Sequence, residues 1–234
     1  MNVVVINGSP KGEESNTMAL TREFLKGSKW TDAEIIDISK LNMRGCIGCF
    51  GCWSKTPGQC VIKDDMEDVL PKLIKADVVI WSFPLYYYSV PGDLKNFIDR
   101  QLPLALPEMD KEAESGGHPS RYDFSKQRHV LISTCGFWTH KGNYDSVTAM
   151  FNHICKYEAI FCGQGALFNI PDTPEVNAME GMFELREWLK AHFEVVRRAG
   201  LEFTQGSIKE ETHKLLAEPI LTKEDYESSA DASW

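Results

Sequence analysis

Short apolar runs alternate with stretches of helical spacing along most of this chain. Residues 3–6 read Val-Val-Val-Ile, a β-branched run without a polar break, and Asn7 follows. A parallel strand covered by helices on both faces reads this way. Similar runs recur at 34–38, 78–82, 129–133 and 159–162, the last extendable to 168. Between them the apolar period lengthens to that of a helix. Helices are predicted over about 16–26, 64–75, 91–101, 144–156 and 178–198. Asp64 and Asp65 put negative charge at a helix start, and Pro91 suits a first helical position. Strict βα alternation with right-handed crossovers predicts an α/β fold. Its form is a doubly wound five-stranded parallel sheet of order 2-1-3-4-5, with helices on both faces.

Two stretches depart from the alternation. Residues 103–127 are polar and longer than an ordinary connection, which predicts a lid or interface segment beside the ligand. After residue 204 the pattern is one short helix and then a Ser/Ala/Asp-rich end expected to be mobile. The division is therefore a ligand-binding domain over 1–204 and a helical C-terminal extension over 205–234.

Composition narrows the class. The chain has 234 residues, 43% hydrophobic and 25% charged, ordinary values for a globular domain with extensions. A net charge of −9 argues against nucleic acid or an anionic membrane as partner. The longest apolar stretch, 78–88, is interrupted by Ser82 and Pro84 and is too short to span a bilayer. No signal segment is visible, so a soluble, cytoplasmic protein is expected. Its seven cysteines are then mostly reduced, and a tight group of them points to metal or redox chemistry.

The candidate chemistry starts directly after the first strand. Asn7-Gly8-Ser9-Pro10-Lys11 and Ser15-Asn16-Thr17 supply hydroxyls, an amide, a lysine and backbone N–H groups at the start of a helix. Phosphate binds in such cups. The lysine and magnesium-binding hydroxyl of a nucleoside triphosphate loop are missing, as is the dinucleotide fingerprint. A terminal phosphate monoester held without metal fits best. The plainer reading is a βα loop in which Ser15 only caps the helix. Two further loops meet the cup at the sheet's switch point. Pro84-Leu85-Tyr86-Tyr87-Tyr88-Ser89-Val90-Pro91 is stiffened by proline at both ends and holds three tyrosines. Thr134-Cys135-Gly136-Phe137-Trp138 supplies a second wall. A phosphate site at one end and aromatic walls at the other fit a mononucleotide with a large flat ring, FMN. Packing of the tyrosines against the next helix is the alternative.

The cup motif, Ala76-Asp77, the tyrosine loop and Leu94-Lys95-x-Phe97-Ile98-Asp99-Arg100 together resemble the NAD(P)H-dependent FMN reductase and iron–sulfur flavoprotein branch of the flavodoxin-like family. The likeness covers about residues 1–170. It implies a flavodoxin-like sandwich that forms a homodimer or higher homo-oligomer, with the flavin near the subunit interface. Ser9, Lys11, Ser15, Asn16 and Thr17 would hold the FMN phosphate. Pro84, Leu85, Tyr86 and Tyr87 would line the ring, and Thr134, Cys135, Gly136 and Phe137 its other edge. Lys11 stands where many relatives have arginine, which keeps the charge but loses the planar fork.

Cys46, Cys49, Cys52 and Cys60 form C-x2-C-x2-C-x7-C, with a glycine before each of the first three. Three thiolates at this spacing can wrap a compact cluster that the fourth closes, as in ferredoxin runs, and the motif is similar to that of iron–sulfur flavoproteins. Four readings stay open: a [4Fe–4S] cluster, zinc, unmetallated redox thiols, and packing. Cys155 and Cys162 read as core, and Cys135 as packing in the third loop. His140 in that loop reads as a surface histidine, and no side-chain set suggests an acid, base or nucleophile. The function expected is an FMN-dependent oxidoreductase with its chemistry on the flavin. It would take electrons from NAD(P)H and pass them to a quinone, flavin or other small-molecule acceptor, or to a redox protein. The alternatives are an electron carrier without its own substrate and a zinc-binding redox sensor or structural protein.

Overall fold

A computed structural model of the chain describes residues 1–114, 116–179 and 181–232. Strand β1 (Val3–Asn7) is wholly buried and leads through the cup into α1 (Asn16–Ser28). Then come β2 (Glu34–Asp37), α2 (Gly51–Ser54), α3 (Met66–Lys75), β3 (Val78–Pro84) and α4 (Gly92–Asp99). The rest is β4 (Arg128–Thr134), α5 (Asp145–Asn152), β5 (Tyr157–Cys162), α6 (Pro174–Asn177), α7 (Met182–Thr204), α8 (Glu210–Leu216) and α9 (Lys223–Asp231). The sheet order is β2-β1-β3-β4-β5, every pair parallel, as the alternation predicts.

Alternate residues of each central strand face opposite layers. Val4, Ile6, Val79, Trp81 and Leu131 pack under α3, α4 and α5. Val3, Val5, Val78, Ile80, Val130 and Ile132 pack under α1, α7 and α8. The β-branched runs are apolar throughout because both faces are covered. On the second layer α1 and α7 are in close backbone contact. A Cβ on Gly27 would lie 1.9 Å from the Arg197 carbonyl oxygen, so only glycine fits there.

Several boundaries differ from the sequence reading. β5 stops at Cys162 and does not run on toward 168, because Gln164 has φ +54° and a 3-10 turn, Gly165–Asn169, follows. The long helix starts at Met182, after Gly181 at φ +73°. The end expected to be mobile carries a second helix, α9. Thr222 caps it by accepting the Asp225 N–H, and Tyr226 is buried. Residues 103–127 do not cover the phosphate cup. They lie on the cysteine loop, where the Trp53 indole N–H donates to the Ala105 carbonyl at 3.1 Å and the ring packs 4.7 Å from His118. No helix among the described residues is long and apolar enough to cross a membrane.

Candidate active site

The cup is built from the end of β1. Gly8 N–H donates to the Ser82 carbonyl at 2.8 Å, and Asn7 Oδ1 accepts the Ser9 N–H. A Cβ on Gly8 would reach 2.7 Å from Leu94 Cδ2, so the loop needs glycine to lie flat on α4. Ser9 Oγ accepts the Lys11 N–H, and Gly12 turns the chain at φ +58°. Ser15 then caps α1, its Oγ accepting the Met18 N–H at 3.2 Å. The capping reading thus holds, yet it leaves the serine proton free to donate. It also leaves the Asn16 and Thr17 N–H groups for a ligand at the positive end of the helix. Lys11 is exposed and has no carboxylate partner among the described residues.

β3 and β4 bring the other two loops to the same edge. Leu85 N–H donates to the Thr134 carbonyl at 2.8 Å. Thr17 and Thr134 share a hydroxyl–hydroxyl hydrogen bond of 2.7 Å, which ties the cup to the third loop. The result is one cleft of about 200 Å³ at the carboxyl ends of the strands. Ser9, Lys11, Ser15, Asn16, Thr17, Pro84, Leu85, Tyr86, Thr134, Cys135 and Gly136 all line it. Tyr87 and Phe137 do not. Tyr86 and Ser89 pair across a two-residue turn in which Tyr87 and Tyr88 have φ of 48° and 62°. That is the turn shape usually left to Asn-Gly, and it leaves the Tyr87 side chain 99% exposed. Phe137 instead stacks on Tyr88 at 5.5 Å. Burial pushes the Cys135 thiol up, so its wall of the cleft is neutral at ordinary pH.

Gly165 and Ala166 also line the cleft, and sequence reasoning passed over them. The signal was Gly163-Gln164-Gly165 directly after a strand end. A Cβ on Gly165 would sit 2.9 Å from Thr134 Cβ. The C-terminal segment braces this wall from behind. Gln164 Nε2 donates to the Leu221 carbonyl, and its Oε1 accepts the Ile220 and Leu221 N–H groups. Trp138 Nε1 donates to the Leu221 carbonyl, and the Tyr226 hydroxyl donates to the Gly136 carbonyl at 2.8 Å.

The four loop cysteines are reduced and share one small pocket with Arg100, Ile47, Phe50, Val61, Ile62, Leu102 and Pro103. Among the described residues, no three His, Cys, Asp or Glu side chains are grouped to hold one metal ion. Cys46, Cys49, Cys52 and Cys60 are the residues that would hold a thiolate-bound metal group in this pocket. Arg100 is buried beneath the pocket. Its Nη1 and Nη2 hold the Asp64 carboxylate at 2.6 and 2.8 Å, and Nη1 also donates to the Arg44 carbonyl. Burial pushes the Asp64 carboxyl up, but hydrogen bonds from Arg100, Arg44 N–H and Met66 N–H outweigh it and hold it below the usual carboxylate range. The cleft and the thiol pocket share no lining residue, and α4 connects their neighbourhoods over about 12 Å of helix.

Sheet order and the cleft at the strand ends define a flavodoxin-like fold. Residues 1–114 match the family described as NADPH-dependent FMN reductase, and the resemblance read from the sequence stands over that span. An iron-sulfur flavoprotein of Methanocaldococcus jannaschii is 37% identical over 108 residues, which are 45% of this chain and 54% of that protein. An FMN-dependent NADH:quinone oxidoreductase of Pseudoalteromonas atlantica is 30% identical over 108 residues, 42% of this chain and 54% of its own. The chain thus spans about half the length of these curated relatives. In fold it is similar to an FMN-dependent NADH-azoreductase of Bacillus anthracis solved with FMN. The TM-score is 0.56 at 18% identity, over 87% of this chain and 99% of that one.

Proposed function

We propose that this protein is an FMN-dependent NAD(P)H oxidoreductase that passes electrons to a small-molecule acceptor of the quinone or flavin type. The observation that carries the reading is the single cleft in which hydroxyls, a helix N-terminus and a free lysine meet a proline-stiffened apolar wall. The names of the matched relatives support it. Ser9, Lys11, Ser15, Asn16 and Thr17 would hold the phosphate. Pro84, Leu85, Tyr86, Thr134, Cys135, Gly136 and Gly165 would line the ring and fix its orientation. When bound, FMN supplies hydride acceptance from the nicotinamide and onward electron transfer. No side chain in the cleft is placed as a general acid or base, so the protein's part is binding, orientation and access. Tyr86, Tyr88 and Phe137 are about half exposed at the rim and offer a flat surface for an aromatic partner.

Cys46, Cys49, Cys52 and Cys60 would hold a [4Fe–4S] cluster, which supplies one-electron transfer. The four cysteines line one pocket, and several matched relatives are named iron-sulfur flavoproteins, which supports this reading. A cytoplasmic homodimer or higher homo-oligomer completes the proposal. The test is anaerobic purification, identification of the released flavin, and NADH and NADPH oxidation with and without a quinone. Protein that neither retains nor rebinds FMN overturns the reading. FMN bound without nicotinamide turnover makes the protein an electron carrier.

A further inference from the structure

Arg100 is 1% exposed and shares a pocket with four thiols, yet its Nε–H has no hydrogen-bond partner. Guanidinium presents five N–H donors in a rigid fork. Asp64 and the Arg44 carbonyl occupy the outer side of that fork. A buried, charged donor left unmatched is costly, and such exceptions call for a missing partner. Asp99 also lines the pocket, but its carboxylate is engaged by Lys95 Nζ at 2.7 and 2.9 Å, and the other walls are side chains such as Ile47, Phe50, Val61 and Leu102, which accept nothing. Sulfur is the acceptor the pocket offers. We infer that Arg100 is a positioning residue for the group the four cysteines hold, its Nε–H donating to one of that group's sulfurs while Asp64 keeps the guanidinium in place.

The inference rests on the cluster reading above, and it makes a separate claim. The potential of a thiolate-bound cluster follows its net charge and the hydrogen bonds to its sulfurs. Taking away the donor favours the oxidised, less negative state, and replacing Arg100 and Asp64 together leaves the net charge beside the thiols unchanged, so the double variant reads the donor. Wild type, Arg100→Lys and the double variant D64N/R100Q are purified anaerobically. The double variant removes both buried charges together, so neither is left unpaired. Iron per chain, far-UV circular dichroism and a redox titration followed by electron paramagnetic resonance are measured. Wild type is expected to hold about four irons. The double variant is expected to keep its fold, with its reduction constant lowered about tenfold, about 59 mV for a one-electron couple. Arg100→Lys, which keeps the charge without the fixed Nε–H, falls between the two. A folded double variant with full iron and the wild-type potential overturns the role of Arg100 and leaves the cluster standing. Wild-type protein without iron, or with zinc in its place, overturns both.

Discussion

Ser15 allows the two readings of the cup to be separated in one residue. Its Oγ caps α1 by accepting the Met18 N–H, and its proton makes no hydrogen bond among the described residues. Ser15→Ala removes the cap, worth about 1 kcal/mol of stability. It also removes a donor to a charged phosphate, worth roughly 1.5–3 kcal/mol of binding, or about tenfold to hundredfold in affinity. Ser15→Asp behaves differently. Aspartate caps as well as serine, so stability should change by only a few tenths of a kcal/mol. Its carboxylate would face the phosphate, however. Two like unit charges about 4 Å apart at an effective dielectric near 20 repel by about 4 kcal/mol, roughly a thousandfold in affinity. Stability is measured by urea unfolding of flavin-free protein, because bound FMN would itself raise it. Affinity is measured by quenching of free FMN fluorescence. The expected pattern is a destabilised, weaker-binding alanine variant and a stable, non-binding aspartate variant. FMN bound by Ser15→Asp as tightly as by wild type would falsify the phosphate assignment and leave Ser15 a helix cap.

Two other outcomes are expected. Tyr226→Phe removes the hydrogen bond to the Gly136 carbonyl; it should cost about 1 kcal/mol of stability and loosen FMN binding several-fold, and wild-type affinity in the variant would show that the brace is idle. His192 lies buried against Trp188 and Phe168, which lowers its pKa to about 4. The unfolded chain binds its proton near pH 6.5, so stability should fall as pH drops from 6.5 toward 4, by about 3 kcal/mol for this residue. His129 titrates in the same window, its pKa lowered to about 4 by burial. His192→Leu should therefore remove one histidine's share of the slope in urea titrations at several pH values, and an unchanged slope refutes the assignment.

The sheet was legible because parallel strands under two helical layers must be apolar on both faces, and Val3 to Ile6 states that without ambiguity. The cleft was legible because its residues sit in loops that follow those strands directly. Gly165 and its support were not, since the partners of Gln164 lie 56 and 57 positions along the chain. The outward aim of Tyr87 was hidden because nothing in Tyr-Tyr announces a turn with two positive φ values. α9 did carry a local sign: Thr222 stands three residues before Asp225, a capping pattern masked by polar composition. The cysteine spacing was plain, but the buried Arg100–Asp64 pair beneath it emerges only when α4 is packed on the loop.

The bracing of the third loop sets an order of events during synthesis. All five strands have been made once Cys162 is in place, but α7 and α8, which cover Val3, Val5, Val78, Ile80, Val130 and Ile132, are still to come. The wall formed by Gly136 and Gln164 still lacks its partners at Ile220, Leu221 and Tyr226. At about 5–20 residues per second, several seconds separate those points. A nascent chain therefore has all its strands well before the partners that brace the back of the cleft. The wall of the cleft is thereby finished by residues that do not line it.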